Sequence, residues 1–232
     1  MELMPPAFAD RRDAGRRLAE RLADMASDPG GPGDGDAGGR DGTGIVILGL
    51  PRGGVPVAAE VASALHAPLD VLVVGKVGVP GHEELALAAV AADGHIAANP
   101  SVIAAVGLTA DEVDLLAGRQ VQALARRAGE LRGGRAPEPL AGRTVVIVDD
   151  GMATGATMRV AVDVVRGRSP RSLVAAVPVA AAEAVAALAP QVDRMECVLT
   201  PPGFRAVGPW YSDFTQVTDD EVRSALHRTD DA

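Results

Sequence analysis

Residues 145–157 read VVIVDDGMATGAT. Val145 to Val148 are apolar and β-branched, which suits a short strand buried on both faces. Two carboxylates, Asp149 and Asp150, end that strand. Gly151, Met152, Ala153, Thr154, Gly155, Ala156 and Thr157 follow as a loop of mostly small residues, and MRVAVDVVRGR continues as a helix. Small residues let backbone N–H groups close on an anion, and a helix N-terminus adds partial positive charge. Thr154 and Thr157 add hydroxyl donors. The loop lacks the lysine of GxxxxGK[ST] and is not GxGxxG either. Paired aspartates suit vicinal hydroxyls or a hydrated Mg²⁺. A sugar phosphate satisfies the whole set: acids for the hydroxyls, loop for the phosphate.

The neighbouring stretches repeat the pattern. IVILGL at 45–50 reads as a strand, PRGG at 51–54 as a turn, and VPVAAEVASAL as a helix. LDVLVVGK at 69–76 reads as a second buried strand ending at Lys76, SLVAAVPVA at 172–180 as a fourth and RMECVL at 194–199 as a fifth. Helices are predicted over Phe8 to Met25, over AAEAVAALAP, and from a Thr109 cap to Leu131, with Glu112 placed to complete a capping box. Strands alternating with helices predict an α/β fold: a mainly parallel twisted sheet flanked by helices, with a small hood from the N- and C-terminal segments. In such sheets ligands bind beyond the carboxyl ends of the strands. Residues 77–101 read as a looser stretch with turn signals at Val79-Pro80-Gly81 and Asp93-Gly94.

Composition narrows the function. The chain has 232 residues, 47% hydrophobic and 23% charged, which suits one elaborated domain over 1–232. Only 2% are aromatic, so Ala, Val, Leu and Ile must fill the core. The net charge is −9, and the arginines are scattered among acids, which argues against nucleic acid as a partner. No polybasic patch or ~20-residue apolar run points to a membrane. No apolar leader segment opens the sequence, so a cytoplasmic location is expected. The single cysteine, Cys197, forms no internal disulfide and reads as a small strand residue. DPGGPGDGDAGGRDGTG at 28–44 cannot bury apolar surface and is expected to be a flexible, solvated spacer.

With its strand, two acids and TG-containing loop, VVIVDDGMATGAT resembles the signature of the type I phosphoribosyltransferases, which bind 5-phosphoribosyl-1-pyrophosphate (PRPP). LPRGGVPVA resembles that family's pyrophosphate loop, with Pro51, Arg52, Gly53 and Gly54 in its places. Lys76 falls where the family commonly has Arg-Lys opening a catalytic loop; Gly75 replaces the arginine. FADRRDAGRRLAERL, PGHEELALAAVA and VGPWYSDFTQVTDDEV resemble one bacterial branch whose acceptor its motifs do not define.

The resemblance implies transfer of the phosphoribosyl group to a nitrogen acceptor, nucleobase-like in character, with release of pyrophosphate. It implies PRPP contacts from residues 51–54, Lys76 and residues 149–157, with Arg52, Lys76, Asp149 and Asp150 in the chemistry. It implies Mg²⁺ as cofactor, with Asp149 and Asp150 toward the metal, and a homodimer as one assembly open to the chain. Residues 76–98 become a candidate mobile lid, with His82, Glu83 and Glu84 on it and Glu84 a candidate base. In the 6-oxopurine branch a third acid stands where this chain has Ala153, which argues against hypoxanthine or guanine as acceptor through that acid. Four of the five aromatics, Phe204, Trp210, Tyr211 and Phe214, fall within 204–214. They make 200–232 a candidate hood, with Trp210 and Tyr211 as candidate acceptor-stacking residues or as packing. A non-catalytic PRPP- or nucleotide-binding regulatory module is the alternative. A dinucleotide oxidoreductase is excluded by the missing glycine fingerprint.

Overall fold

A computed structural model describes residues 6–27 and 44–228. The Gly/Asp spacer therefore lies outside the described residues, save Gly44. One parallel sheet is built from β1 (Ile45–Gly49), β2 (Leu69–Val71), β6 (Thr144–Val148), β7 (Ser172–Val179) and β8 (Arg194–Leu199). Its strands lie in the order β2-β1-β6-β7-β8. Every residue of β1 and β6 is buried, as expected for strands covered on both faces. One face packs on α1 (Arg11–Leu22), α2 (Gly54–Leu65) and α7 (Asp219–Arg228), through Leu18, Leu22, Val57, Val61 and Leu226. The other packs on α5 (Ala156–Arg166) and α6 (Ala182–Leu188), through Met158, Val162, Val165 and Leu188. The chain leaves β1 toward β2 and returns on the other side as β6. The order of winding thus reverses between β1 and β6, the place where open sheets leave a crevice.

Two expectations are corrected. LDVLVVGK does not form one strand. Leu72 N still donates to Gly49 O, 3.1 Å, but the chain then leaves the parallel sheet. Val74–Val79 becomes β3 of a second, antiparallel sheet with β4 (His82–Ala91) and β5 (Ile96–Ala98). Lys76 therefore sits within β3, paired with Ala89, and not at the end of a central strand. The stretch read as loose is this sheet. Alanine-rich β4 carries little strand propensity. It is held by burial between two helices: Leu87, Ala88 and Val90 pack toward α4 (Ala110–Arg132), while Ala89 and Ala91 face α5. Along the chain, α3 (Pro100–Val106) connects β5 to α4, started by the Asn99 cap and Pro100.

Thr109 makes the expected capping box: its side chain accepts from Glu112 N, and Glu112 accepts from Thr109 N at 2.8 Å. Thr109→Ala should therefore lower stability by about 0.5–2 kcal/mol in urea titration; no change would show that α4 does not depend on its cap. Cys197 is half-buried in β8, where burial pushes its thiol up to about 11, too high for a neutral-pH nucleophile.

Candidate active site at the reversal between β1 and β6

The two loops read from the sequence meet. Leu50 N donates to Val148 O at 2.9 Å, which fixes the PRGG turn against the end of β6. The Pro51–Arg52 peptide is cis. A Cβ on Gly54 would stand 2.7 Å from Val148 O and 2.8 Å from Asp149 Cα. A Cβ on Gly53 would stand 2.0 Å from Asp150 Oδ2. Close approach of backbone thus requires glycine at 54, whereas a side chain at 53 would displace the Asp150 carboxyl. The neighbours of Gly54 are backbone atoms that cannot swing away. Gly54→Ala should cost about 1–3 kcal/mol, read in a thermal melt; a variant as stable as the parent would mean the turn and strand end are not in contact.

Asp149 and Asp150 are both half-buried at the strand end. Asp149 Oδ1 accepts from Asp150 N at 2.8 Å. Burial, then the neighbouring Asp150 charge, pushes the Asp149 carboxyl well above the usual carboxylate range. Burial also raises Asp150, opposed by Arg11, whose Nε donates to Asp150 Oδ2 at 2.8 Å. Arg11 escapes a reading of the sequence. It lies 139 residues from its partner, in a charged helix start with no motif around it.

The loop after the acids is open on one side. Met152 anchors it: the side chain is buried, Met152 N donates to Val179 O and Met152 O accepts from Ala181 N. Ala153, Thr154 and Thr157 are exposed. Gly155 takes φ +72° and starts α5 without a side-chain cap. The N–H groups of Ala153, Thr154 and Gly155 have no hydrogen-bond partner among the described residues. The first turn of any helix likewise leaves N–H groups free, so the loop offers several donors and the dipole's positive end. In the PRGG turn, Gly54 N is spent on Leu50 O at 3.0 Å, which removes it as an anion donor and leaves Arg52 and Gly53.

The other residues singled out are more dispersed. Arg52 Nη1 lies 3.7 Å from Asp219 Oδ1 at the start of α7, and Asp219 is held chiefly by two 2.5 Å bonds from Arg127. Lys76 is exposed and lines a groove of about 500 Å³ with Ala89, Ala97, Ala156 and Arg159. Glu84 lies in β4, its side chain outside the described residues. Tyr211 is buried, its ring between Phe8 and Phe214 at 5.4 and 5.0 Å, and its hydroxyl donates to Asp150 O. Its ring has no open face for an acceptor. Trp210 is stacked on Phe204 at 6.3 Å and remains partly exposed. Among the described residues no three His, Cys, Asp or Glu side chains are grouped to hold a metal ion, and no helix is long and apolar enough to cross a membrane.

The family model described as the phosphoribosyl transferase domain matches residues 37–200. A Mycobacterium tuberculosis H37Rv protein, Rv0571c, provisionally named a phosphoribosyl transferase, is 47% identical over 221 residues, which is 95% of this chain. The chain spans 46% of that relative, about half its length. The crystal structure of TT1426 from Thermus thermophilus superposes with a TM-score of 0.80 at 42% identity, covering 97% of this chain and 99% of that one. A hypothetical protein from Neisseria gonorrhoeae with bound ppGpp shares the fold at a TM-score of 0.50 and 14% identity, over 98% and 99% of the two chains.

Proposed function

The chain belongs to the phosphoribosyl transferase domain family, and from that premise we propose that it transfers the phosphoribosyl group of PRPP to a nitrogen acceptor, releasing pyrophosphate. One observation carries the reading. The acid pair, the open small-residue loop and the N-terminus of α5 meet the PRGG turn where the sheet reverses its winding. The spacing of chemistry fits the substrate: Asp149 and Asp150 accept from ribose hydroxyls, and the N–H groups of 153–155 take the 5′-phosphate. Arg52 and the N–H groups at 52–53 face the leaving pyrophosphate, whose charge grows in the transition state.

Mg²⁺ usually keeps waters and binds through one or two carboxylates plus substrate phosphates. With Asp150 tied to Arg11 and no third acid grouped with the pair among the described residues, the site fits a metal that arrives on PRPP, with Asp149 as its protein carboxylate. When bound, the ion would neutralise charge on the pyrophosphate oxygens. The β3–β4 sheet carrying Lys76 is the candidate cover that excludes water during transfer.

A binding-only, regulatory module is the second reading. It draws on the placement of the two expected leaving-group cations: Arg52 leans toward Asp219, and Lys76 faces α5 across the groove. Calorimetric titration of PRPP with Mg²⁺, then a pyrophosphate-release screen across nitrogen bases, separates the readings. Binding with acceptor-dependent release establishes the transferase; binding without release for any base favours the module; no binding sinks both. In the transferase, Lys76→Ala should lower turnover about tenfold or more with little change in ribose 5-phosphate affinity, and full turnover would exclude Lys76 from the chemistry.

A further inference from the structure

Asp150 is gripped from outside its own strand by both ends of the chain. The N-terminal strap runs beside the C-terminal one: Ala7 N and Phe8 N donate to Trp210 O at 3.0 Å, Ser212 N donates to Phe8 O at 2.8 Å, and Asp213 N to Ala9 O at 2.9 Å. From this pair of straps two groups reach the acid. Tyr211 hydroxyl holds the main-chain carbonyl of Asp150. Arg11 Nε holds the carboxylate through Oδ2 at 2.8 Å.

The Arg11 guanidinium has little freedom to do anything else. Its Nη1 donates to Thr215 O at 2.8 Å, and its central carbon lies 3.9 Å from the centroid of the Phe214 ring. Side-chain exposure is 11% for Arg11 and 15% for Asp150. A charge-assisted bond in so dry a place is short and directional. It engages Oδ2, the oxygen nearest Gly53, and leaves Oδ1 as the acceptor for a ligand hydroxyl. Without the guanidinium, two adjacent carboxylates would share a half-buried site with no counter-charge on the carboxyl of Asp150.

We propose that Arg11 is a positioning residue for Asp150, setting the orientation in which that acid reads the ribose diol. This deepens the transferase reading and rests on it. A mere staple between the two straps would give the same ion pair but a different result with ligands lacking one hydroxyl. The probes are ribose 5-phosphate, 2-deoxyribose 5-phosphate and 3-deoxyribose 5-phosphate, titrated calorimetrically into the full chain. The wild type should prefer the full diol over at least one deoxy sugar by about tenfold or more. In Arg11→Ala that preference should shrink to about twofold or less, and N-ethylguanidinium added to the buffer should restore it. Should Arg11→Ala not fold, Arg11→Gln, which keeps a donor and loses the charge, gives the same comparison. Equal weakening of all three ligands, or an unchanged preference, would overturn the proposal. Failure of the wild type to bind any of the three would instead overturn the sugar-phosphate reading, and the proposal with it.

Discussion

Asp70→Ala is expected to lower the free energy of unfolding by about 3–5 kcal/mol. Asp70 lies in β2, 5% exposed, and accepts four hydrogen bonds. Two are backbone N–H groups, Val71 at 2.7 Å and Glu138 at 3.1 Å. The other two come from Arg132, the last residue of α4, through Nε at 2.7 Å and Nη2 at 3.0 Å. Removing the acid leaves a largely buried guanidinium without its counter-charge. Arg168 lines the same small cavity, so the stranded charge would also face a like one. The cost is therefore the desolvation of an unpaired ion, larger than the net worth of the pair. Asp70→Ala combined with Arg132→Met should recover the part of the loss due to the stranded charge, while the Val71 and Glu138 N–H groups stay without their acceptor. Urea titration of the three variants checks this; a single-variant loss under about 1 kcal/mol would mean that the pair is solvated. The consequence reaches the site, because this pair fastens α4, and the β3–β4 sheet packed on it, to the edge of the parallel sheet.

That fastening shows what the sequence can and cannot disclose. The parallel strands are legible because a strand covered on both faces must be apolar at successive positions. IVILG and TVVIV are so along their whole length, apart from Gly49 and Thr144. The acid pair and its loop are legible for the same reason, as the first polar residues after such a run. The second sheet is not. HEELALAAVA has alanines where a strand would show branched residues, and only its two helical covers make the run extended. Reading it as loose shifts Lys76 from the face of a β-ribbon, where it stands, to the end of a central strand.

Long-range ion pairs are equally hidden. Nothing local distinguishes Arg11 from Arg12, Arg16 or Arg17, yet only Arg11 among them is paired with an acid of the site. Asp219 similarly reads as an ordinary acid in the first turn of α7, where the helix dipole favours it. Its bonds to Arg127 become visible only when the C-terminal segment folds back across α4. Tyr211 is legible as a cluster member but not as a donor to Asp150, because hydrogen bonds to backbone carry no sequence signature.

Asp149→Asn should change stability and binding in opposite directions. The raised pKa of Asp149 means that its ionised form is disfavoured in the folded chain, through burial first and then the Asp150 charge. A carboxyl raised on folding binds its proton more tightly in the native state. Below the unfolded value, about 3.9, both states are protonated and the group costs nothing. As pH rises toward the folded value the penalty grows, because the unfolded chain ionises freely and the folded chain does not. Asparagine carries no charge and escapes the penalty. Melting temperatures of the ligand-free variant should therefore match the wild type near pH 4 and exceed it by an increasing margin toward pH 8. A difference independent of pH would show that Asp149 is well solvated. Binding should move the other way. A ribose hydroxyl or a metal on the substrate interacts with the carboxylate more strongly than with the amide, so PRPP with Mg²⁺ should bind about tenfold or more weakly to Asp149→Asn. Unchanged affinity would remove Asp149 from the site. A gain in stability joined to a loss of affinity is the signature of a carboxyl whose ionisation the ligand-free chain resists and the ligand restores by supplying the missing solvation.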